Sequence, residues 1–413
     1  MIVEKPASAE LATSAYLDYA AATPLDPEVL EAMTPYLTGR FYNPSAPYAL
    51  ARNVRADVEA ARATVARCIG ARPGNVTFTA GATEANNLAF AATEGHVVTD
   101  AVEHESVLAC AEARSHAIVG VGPDGRVDPE DVLSAVTPAT QLVSVSLANG
   151  EIGCVQPVRE LSRMIAQLRG ARLATGDLTP LYLHVDASQA ASCLTVDVGS
   201  LGCDLLTLSA AKIGGPKQVG LLWASDDVVL RPLVLGGGQE GGLRSGTENV
   251  AGIVGFACAL ELACGRRREE SRRLSALRGR LQRGLLSEFP WAQVSGPKKE
   301  KFRLPGLLHV SFPGLEARRL VIGLEREGVS VGTGSACAAS KMRVSHVLRA
   351  IGMPEEAAAG SLRMTLGRPT TESEVDYAIA AVTRVVRAEM ARLGMSGEEA
   401  AANAARIMGG GRQ

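Results

Sequence analysis

The sequence predicts an α/β protein, and three features carry that reading. Short apolar runs recur up to about residue 225, amphipathic segments alternate with them, and a more charged stretch follows after about residue 265. Strands that read as near-continuous apolar runs are buried on both faces, as in a mostly parallel sheet covered by helices. The first part of the chain is therefore the sheet domain, and the rest is a smaller α+β domain.

Taken in order, residues 50–70 ("LARNVRADVEAARATVARCIG") space apolar positions three and four apart and end in glycine, which predicts a helix. Strands follow in "NVTFTAG", "HVVTDAVEH", "LVSVSLANGEIG", "LYLHVDASQAA", "CDLLTLSAAK" and "VGLLWAS", with helical segments such as 157–168 between several of them. The domain boundary falls on a long helix beginning near 250, whose charged continuation is "RRREESRRLSALRGRLQRGLLSEF"; the strand "LLHVSF" comes next. The predicted division is 16–262 for the large domain and 1–15 with 263–396 for the small one. The Ala/Gly-rich segment 397–413 offers little to bury and is expected to be a flexible tail.

Composition narrows the function. At 413 residues with 46% hydrophobic content the chain can fill a large core. Its 42 basic and 44 acidic residues leave a net charge of −2, so no overall field draws nucleic acid or a membrane surface, and partners are recognised locally. The eight cysteines (68, 110, 154, 193, 203, 258, 264 and 337) show no CxxC or CxxH spacing, and most sit in apolar runs. A reducing cytoplasm suits them. The first residues, "MIVEKPASAE", lack an apolar signal core, and no run of about 18 apolar residues exists, so neither export by that route nor a membrane span is expected.

In open α/β sheets ligands sit at the carboxyl ends of the strands, so the polar residue closing each apolar run is informative. Those residues are Asn149, Asp186 with Gln189 after it, Ser209 with Lys212 beyond, and His104 in "AVEHES". Taken singly, Asp186 reads equally as a helix N-cap, Asn149 as a turn residue and Lys212 as a surface lysine. In "TAGATEANN", small residues between a strand and a helix start turn backbone N–H groups and Thr83 outward, as an anion site requires, although an ordinary tight turn has the same sequence. The glycine cluster "LGGGQEGGLRSGTENV", ending near Thr247, suits a binding loop as well as a flexible one. An anion cradle, a carboxylate, an amine and a flat imidazole together fit a phosphorylated, cationic, aldehyde-bearing ring, and pyridoxal phosphate has those properties.

The same residues carry a resemblance to the cysteine desulfurases, fold-type I pyridoxal-phosphate enzymes of the class V aminotransferase group. It runs from "YLDYAAATPLDPEV" (16–29) to "LRMTLGRPTTESEVDYAI" (362–379), through "NPSA", "GATEANN", "VEHESV", "NGEIG", "VDASQA", "GGPK", "RSGTENV", "GSAC" and "SHVLRAIG" in family order. The serine-rich cysteine loop resembles that of the longer-loop subgroup. The resemblance implies a large domain with a mostly parallel seven-stranded sheet, a smaller α+β domain, and a homodimer. By it, Lys212 holds the cofactor aldehyde covalently and moves the Cα proton, Asp186 pairs with the pyridine nitrogen, Gln189 meets the phenolate oxygen, and His104 stacks on the ring and exchanges protons. Ala82, Thr83 and Ser209 would hold the phosphate, with Thr247 reaching it from the other subunit. Arg363 and Asn149 would grip the substrate carboxylate.

Cys337, in "GTGSACAASKMRVSHVL", would take the sulfur as a persulfide. A run of small residues lets a thiol travel between substrate and acceptor, and Lys341 or Arg343 would favour its thiolate. Lys217, in "GGPK", is the competing lysine and lies past the crevice.

Three departures from the family pattern stand out. The chain has "SAAK" where the family writes Ser-X-His-Lys, so Ala211 replaces a phosphate donor at a cost of about 1–3 kcal/mol unless Gln239 or a water compensates. Tyr48 stands near a customary histidine, and 171–182 is a longer link, expected on the surface. The expected reaction is conversion of L-cysteine to L-alanine, with sulfur passing to Cys337 and on to an acceptor protein or pathway enzyme serving iron–sulfur clusters, thiolated nucleic acid or thio-metabolites. The rivals are a selenocysteine lyase or other pyridoxal-phosphate C–S lyase, and a sulfur-relay scaffold without turnover.

Overall fold

A computed structural model describes residues 15–333 and 345–410. The expectations placed on Cys337, Lys341 and Arg343 lie outside the described residues. The chain divides into two compact units, one of Ala22–Ser271 with Pro297–Leu304, the other of Met1–Ala21, Arg272–Gly296 and Pro305–Gln413.

After a first short strand, β1 (Ala15–Leu17), the larger unit builds β2 (Val76–Thr79), β3 (His96–Asp100), β4 (His116–Val119), β5 (Thr140–Ser144), β6 (Tyr182–Asp186), β7 (Leu205–Ser209) and β8 (Gly220–Ala224). They form one seven-stranded sheet in the order β2-β8-β7-β6-β5-β3-β4. Only β8 runs against its neighbours, β2 and β7; every other pair is parallel. Strands β2, β7 and β8 are buried along their whole length, which is why β7 and β8 read as mostly apolar runs, while the threonines of β2 are buried too. Leu88, Phe90, Val97, Leu142, Leu205 and Leu222 close the core beneath the helix Ala82–Ala91.

The helix expected at 50–70 spans Ala49–Ile69 and stops at Gly70, whose φ of 69° few other residues adopt. The segment 157–168 lies in the helix Val158–Ala174, which absorbs the first part of the expected surface link at 171–182. Strand β4 is an edge strand, mostly open to solvent, although its sequence carries the apolar run 117–119.

The smaller unit pairs β1 in parallel with β11 (Val329–Val331) and sets β10 (Leu307–Ser311) between β9 (Gln293–Val294) and β12 (Ser361–Thr365) in an antiparallel sheet. Val250–Glu288 is one continuous helix of 39 residues, assigned to the larger unit as far as Ser271. Within the segment 397–413, expected to be a flexible tail, the described residues Gly397–Gly410 form a helix. Ala400, Ala404 and Ile407 recur on one face and are buried, so even small side chains find a surface to cover. Its start is tied by a reciprocal cap in which Ser396 Oγ accepts from Glu399 N at 3.2 Å and Glu399 accepts from Ser396 N at 2.8 Å. No helix among the described residues is long and apolar enough to cross a membrane.

Candidate active site

Because β3, β5, β6 and β7 are parallel, Asp100, Ser144, Asp186 and Ser209 all close their strands on one edge of the sheet. Asp186 is buried there. Its Oδ2 accepts from Asn86 Nδ2 at 2.9 Å and its Oδ1 from the Ser188 N–H at 2.9 Å, so both oxygens are oriented. Behind it His184 bridges β5 and β7, with Nδ1 at 2.8 Å from Ser144 Oγ and Nε2 at 3.0 Å from Thr207 Oγ1. Burial pushes the His184 imidazole down to about 4, so it is neutral. Glu103, also buried, is raised well above the ordinary carboxyl range, first by burial and then by Asp100.

The second component is the start of the helix Ala82–Ala91. Gly81 precedes it with φ 137°, and nothing lies within 4 Å of where a Cβ would stand, so that side of the helix start is open. Gly220 pairs with Thr79 on one side and Ser209 on the other, which sets the helix start and Ser209 across a single strand from each other. A Cβ on Gly220 would stand 2.6 Å from the Gly81 carbonyl carbon; only glycine permits this approach. Ala82 is half-buried and Thr83 exposed.

Lys212 ends a single 3₁₀ turn, Ala210–Lys212, that follows β7 directly, and its side chain is half-buried. The turn is pinned because Ala211 O accepts from Thr23 N at 3.1 Å and Thr23 Oγ1 at 3.0 Å. Lys217 is exposed and donates to Thr23 O at 2.6 Å, which engages the competing lysine elsewhere. His104 is the N-cap of the helix Glu105–Glu112, with Nδ1 accepting from Ser106 N at 3.1 Å.

Asn149 is buried and organises its own loop: Oδ1 accepts from the Glu151 and Ile152 N–H groups at 2.8 and 2.9 Å, and Nδ2 donates to Val102 O at 2.8 Å. One Nδ2–H is left for a ligand. Gln189 lies against Gly150, where a Cβ would meet its amide carbon at 2.8 Å.

The glycine cluster 235–250 is anchored rather than loose. Glu240, at φ 50°, makes a two-pronged pair with Arg62 at 2.8 Å on each prong, and its Oε2 also accepts from Phe78 N at 2.8 Å. Gln239 turns into the same loop, where its Oε1 accepts from Gly246 N at 3.0 Å. Thr247 is exposed just beyond.

In the smaller unit Arg363 lies at the centre of β12, opposite His309 on β10, and is buried. Its Nη2 donates to Asp18 Oδ1 at 2.7 Å. Burial, and then the Arg363 charge, hold His309 down at about 3. Asp18, Asn86 and Ser106 are the residues that sequence reasoning missed. Asn86 stands in the quoted "GATEANN", one turn past the helix start, and that spacing was the available signal.

Comparison with known proteins gives a consistent answer. The profile of the aminotransferase class-V family matches residues 15–378. The chain is 39% identical over 384 residues to the cysteine desulfurase IscS of Clostridium botulinum (strain Hall), covering 90% of this chain and 94% of that one. It is 40% identical over 383 residues to the cysteine desulfurase IscS of Dictyoglomus turgidum, with the same coverage. The solved structure of a NifS-like protein superposes with a TM-score of 0.82 at 32% identity, over 91% of this chain and 100% of that one.

Proposed function

The chain belongs to the aminotransferase class-V family and is a cysteine desulfurase dependent on pyridoxal phosphate, and from that premise we propose which of its residues hold the cofactor and the substrate. The residues present suit the group. A buried carboxylate stands oriented at a strand end, a helix start lies open beside Gly81, and Ser188 Oγ, buried nearby, has no partner among the described residues.

When bound, the cofactor supplies an aldehyde that captures the substrate amino group and a ring that accepts the electron pair released at Cα. Asp186 would hold a proton-bearing ring nitrogen through its carboxylate, which Asn86 and the Ser188 N–H keep in orientation. The N–H groups of Ala82 and Thr83, together with the Thr83 and Ser209 hydroxyls, hold the phosphate at the helix start. Gln189 would meet the phenolate oxygen, and His104 would cover the ring face. In a homodimer, Thr247 of a second copy adds to the phosphate site. Lys212 anchors the cofactor and moves the proton at the substrate Cα.

Arg363 offers its guanidinium fork to the carboxylate of L-cysteine, and the remaining Nδ2–H of Asn149 is a second donor for it. The Cys337 thiolate would attack the substrate sulfur: an S–S bond forms as the C–S bond breaks, the C–S electron pair goes to Cβ, which takes up a proton, and L-alanine leaves. The persulfide then passes its sulfur to an acceptor protein recognised locally, since the net charge of −2 gives no overall attraction.

The oriented, buried Asp186 is the observation that carries this assignment. It is tested by two variants followed through the visible absorption of bound cofactor and the release of alanine. Lys212→Ala is expected to lose both, whereas Cys337→Ser keeps the absorption and loses the alanine. An unimpaired Cys337→Ser variant would overturn the assignment of the thiol.

A further inference from the structure

Four side chains of the larger unit form an unbroken line. Asp186 Oδ2 accepts from Asn86 Nδ2 at 2.9 Å, Ser106 Oγ accepts from the same Asn86 nitrogen at 2.9 Å, and Ser106 Oγ lies 2.8 Å from His104 Nδ1. Asn86 is wholly buried and Ser106 nearly so, while His104 is exposed.

The direction of each hydrogen follows from the types of group. An ionised carboxylate only accepts, so Asn86 must turn its NH₂ end toward Asp186, and the two hydrogens of that NH₂ serve Asp186 and Ser106. Ser106 Oγ receives a hydrogen from Asn86 and has a second lone pair, so the direction at His104 is set by the Ser106 backbone N–H: it requires an unprotonated Nδ1, to which the hydroxyl then donates as well. The Ser106 backbone N–H donates to the same nitrogen at 3.1 Å. A nitrogen that accepts two hydrogen bonds carries no proton of its own.

We propose that Asn86 and Ser106 are positioning residues that fix His104 as the neutral tautomer protonated on Nε2, so that its exposed side meets substrate and cofactor as a hydrogen-bond donor. This rests on the assignment of His104 to the active site, but the tautomer itself can be read without turnover. Ser106 adds the second donor: without its hydroxyl, Nδ1 loses one of the two hydrogen bonds it accepts from this residue. The acidic end fixes the sense at Asn86, because reversing its amide would set its oxygen against the Asp186 carboxylate, and the Ser106 backbone N–H fixes it at His104.

The test is nitrogen NMR on the full-length, cofactor-loaded enzyme with ¹⁵N-labelled histidine, which gives six residues to assign. In the unmutated chain, His104 is expected to show its proton on Nε2 and a hydrogen-bonded, unprotonated Nδ1. In Ser106→Ala the Nδ1 resonance moves toward that of a nitrogen accepting less, and Ser106→Thr, which keeps the hydroxyl, restores it. A proton on Nδ1 in the unmutated chain overturns the proposal and needs no variant to see. So does an Nδ1 resonance that Ser106→Ala leaves unmoved. An enzyme with the expected tautomer but no alanine production would support this inference and count against the functional assignment instead.

Discussion

Arg363 and Asp18 form a close ion pair, with Nη2 donating to Oδ1 at 2.7 Å, and Gly332 is packed against both partners. A Cβ at 332 would stand 2.9 Å from Arg363 Nη2 and 2.9 Å from Asp18 Oδ1. Gly332 also exchanges backbone hydrogen bonds with Arg363 in both directions, at 3.0 and 2.7 Å. Backbone and side chain thus aim the guanidinium together, and the glycine that opens "GTGSAC" is part of the aiming.

Gly332→Ala must displace one partner of that pair. The expected cost is about 1–3 kcal/mol of stability in urea melts, as for other overpacked sites. Arg363→Lys keeps the charge but loses the fork, so the KM for cysteine should rise about tenfold or more, the weight of one hydrogen bond to a charged group. A steady-state assay on both variants checks this; an unchanged KM in Arg363→Lys would remove Arg363 from the substrate site.

His309 is wholly buried, and neither ring nitrogen has a hydrogen-bond partner among the described residues. Its folded pKa, about 3, lies below the ordinary 6.5. The unfolded chain therefore binds the extra proton between those values, so the stability this site contributes is whole above about pH 6.5 and is lost as pH falls toward 3. His309→Leu should flatten the pH dependence of unfolding in that window by up to about 1.4 kcal/mol per pH unit. Urea titrations at several pH values measure the slope, and an equal slope in both chains would show that the site does not titrate in this way.

Among the described cysteines, Cys264 should react first with an alkylating agent. A hydrogen bond with Cys68, and then the Arg267 charge, bring its thiol down to about 7 against the opposing effect of burial. Burial pushes Cys203 up to about 12 and Cys154 higher still. Mass spectrometry after brief iodoacetamide treatment should find Cys264 modified at a rate that climbs through about pH 7. Cys68→Ala should move that midpoint upward.

Ala211→His installs the phosphate donor that the family resemblance places before the lysine. Gln239 commits only its acceptor, Oε1, to Gly246 N at 3.0 Å, so its Nε2 remains a donor that can compensate. Cofactor retention in dialysis should improve about tenfold, the weight of one charge-assisted hydrogen bond. Retention no better than the parent would mean that the phosphate is already fully satisfied.

The sheet and its polar edge were legible because burial on both faces leaves an unambiguous apolar run, and the residue ending that run is by construction at the edge. Asp186, Ser209 and Lys212 were found in this way. The helix Gly397–Gly410 was missed because alanine buries little and so looks uncommitted, although it is a strong helix former. The pair Ser396 and Glu399, three apart, was the sign of its start. Asp18, Asn86 and Ser106 could not be ranked from sequence. Their importance lies in which atoms they face, and contacts between residues as far apart as 18 and 363 leave no local spacing to read.

The anchoring of Glu240 by Arg62 has a reach beyond the loop it holds. Arg62 lies in the helix Ala49–Ile69, on a stretch with no chemistry of its own, yet it fastens the glycine segment to the backbone of β2, the strand that leads into the turn at Gly81. Random mutagenesis selecting for weakened enzyme would therefore recover position 62 beside the catalytic positions. An engineer who lengthens the loop can insert residues on either side of the acid at 240, but must leave the acid where the arginine can grasp it.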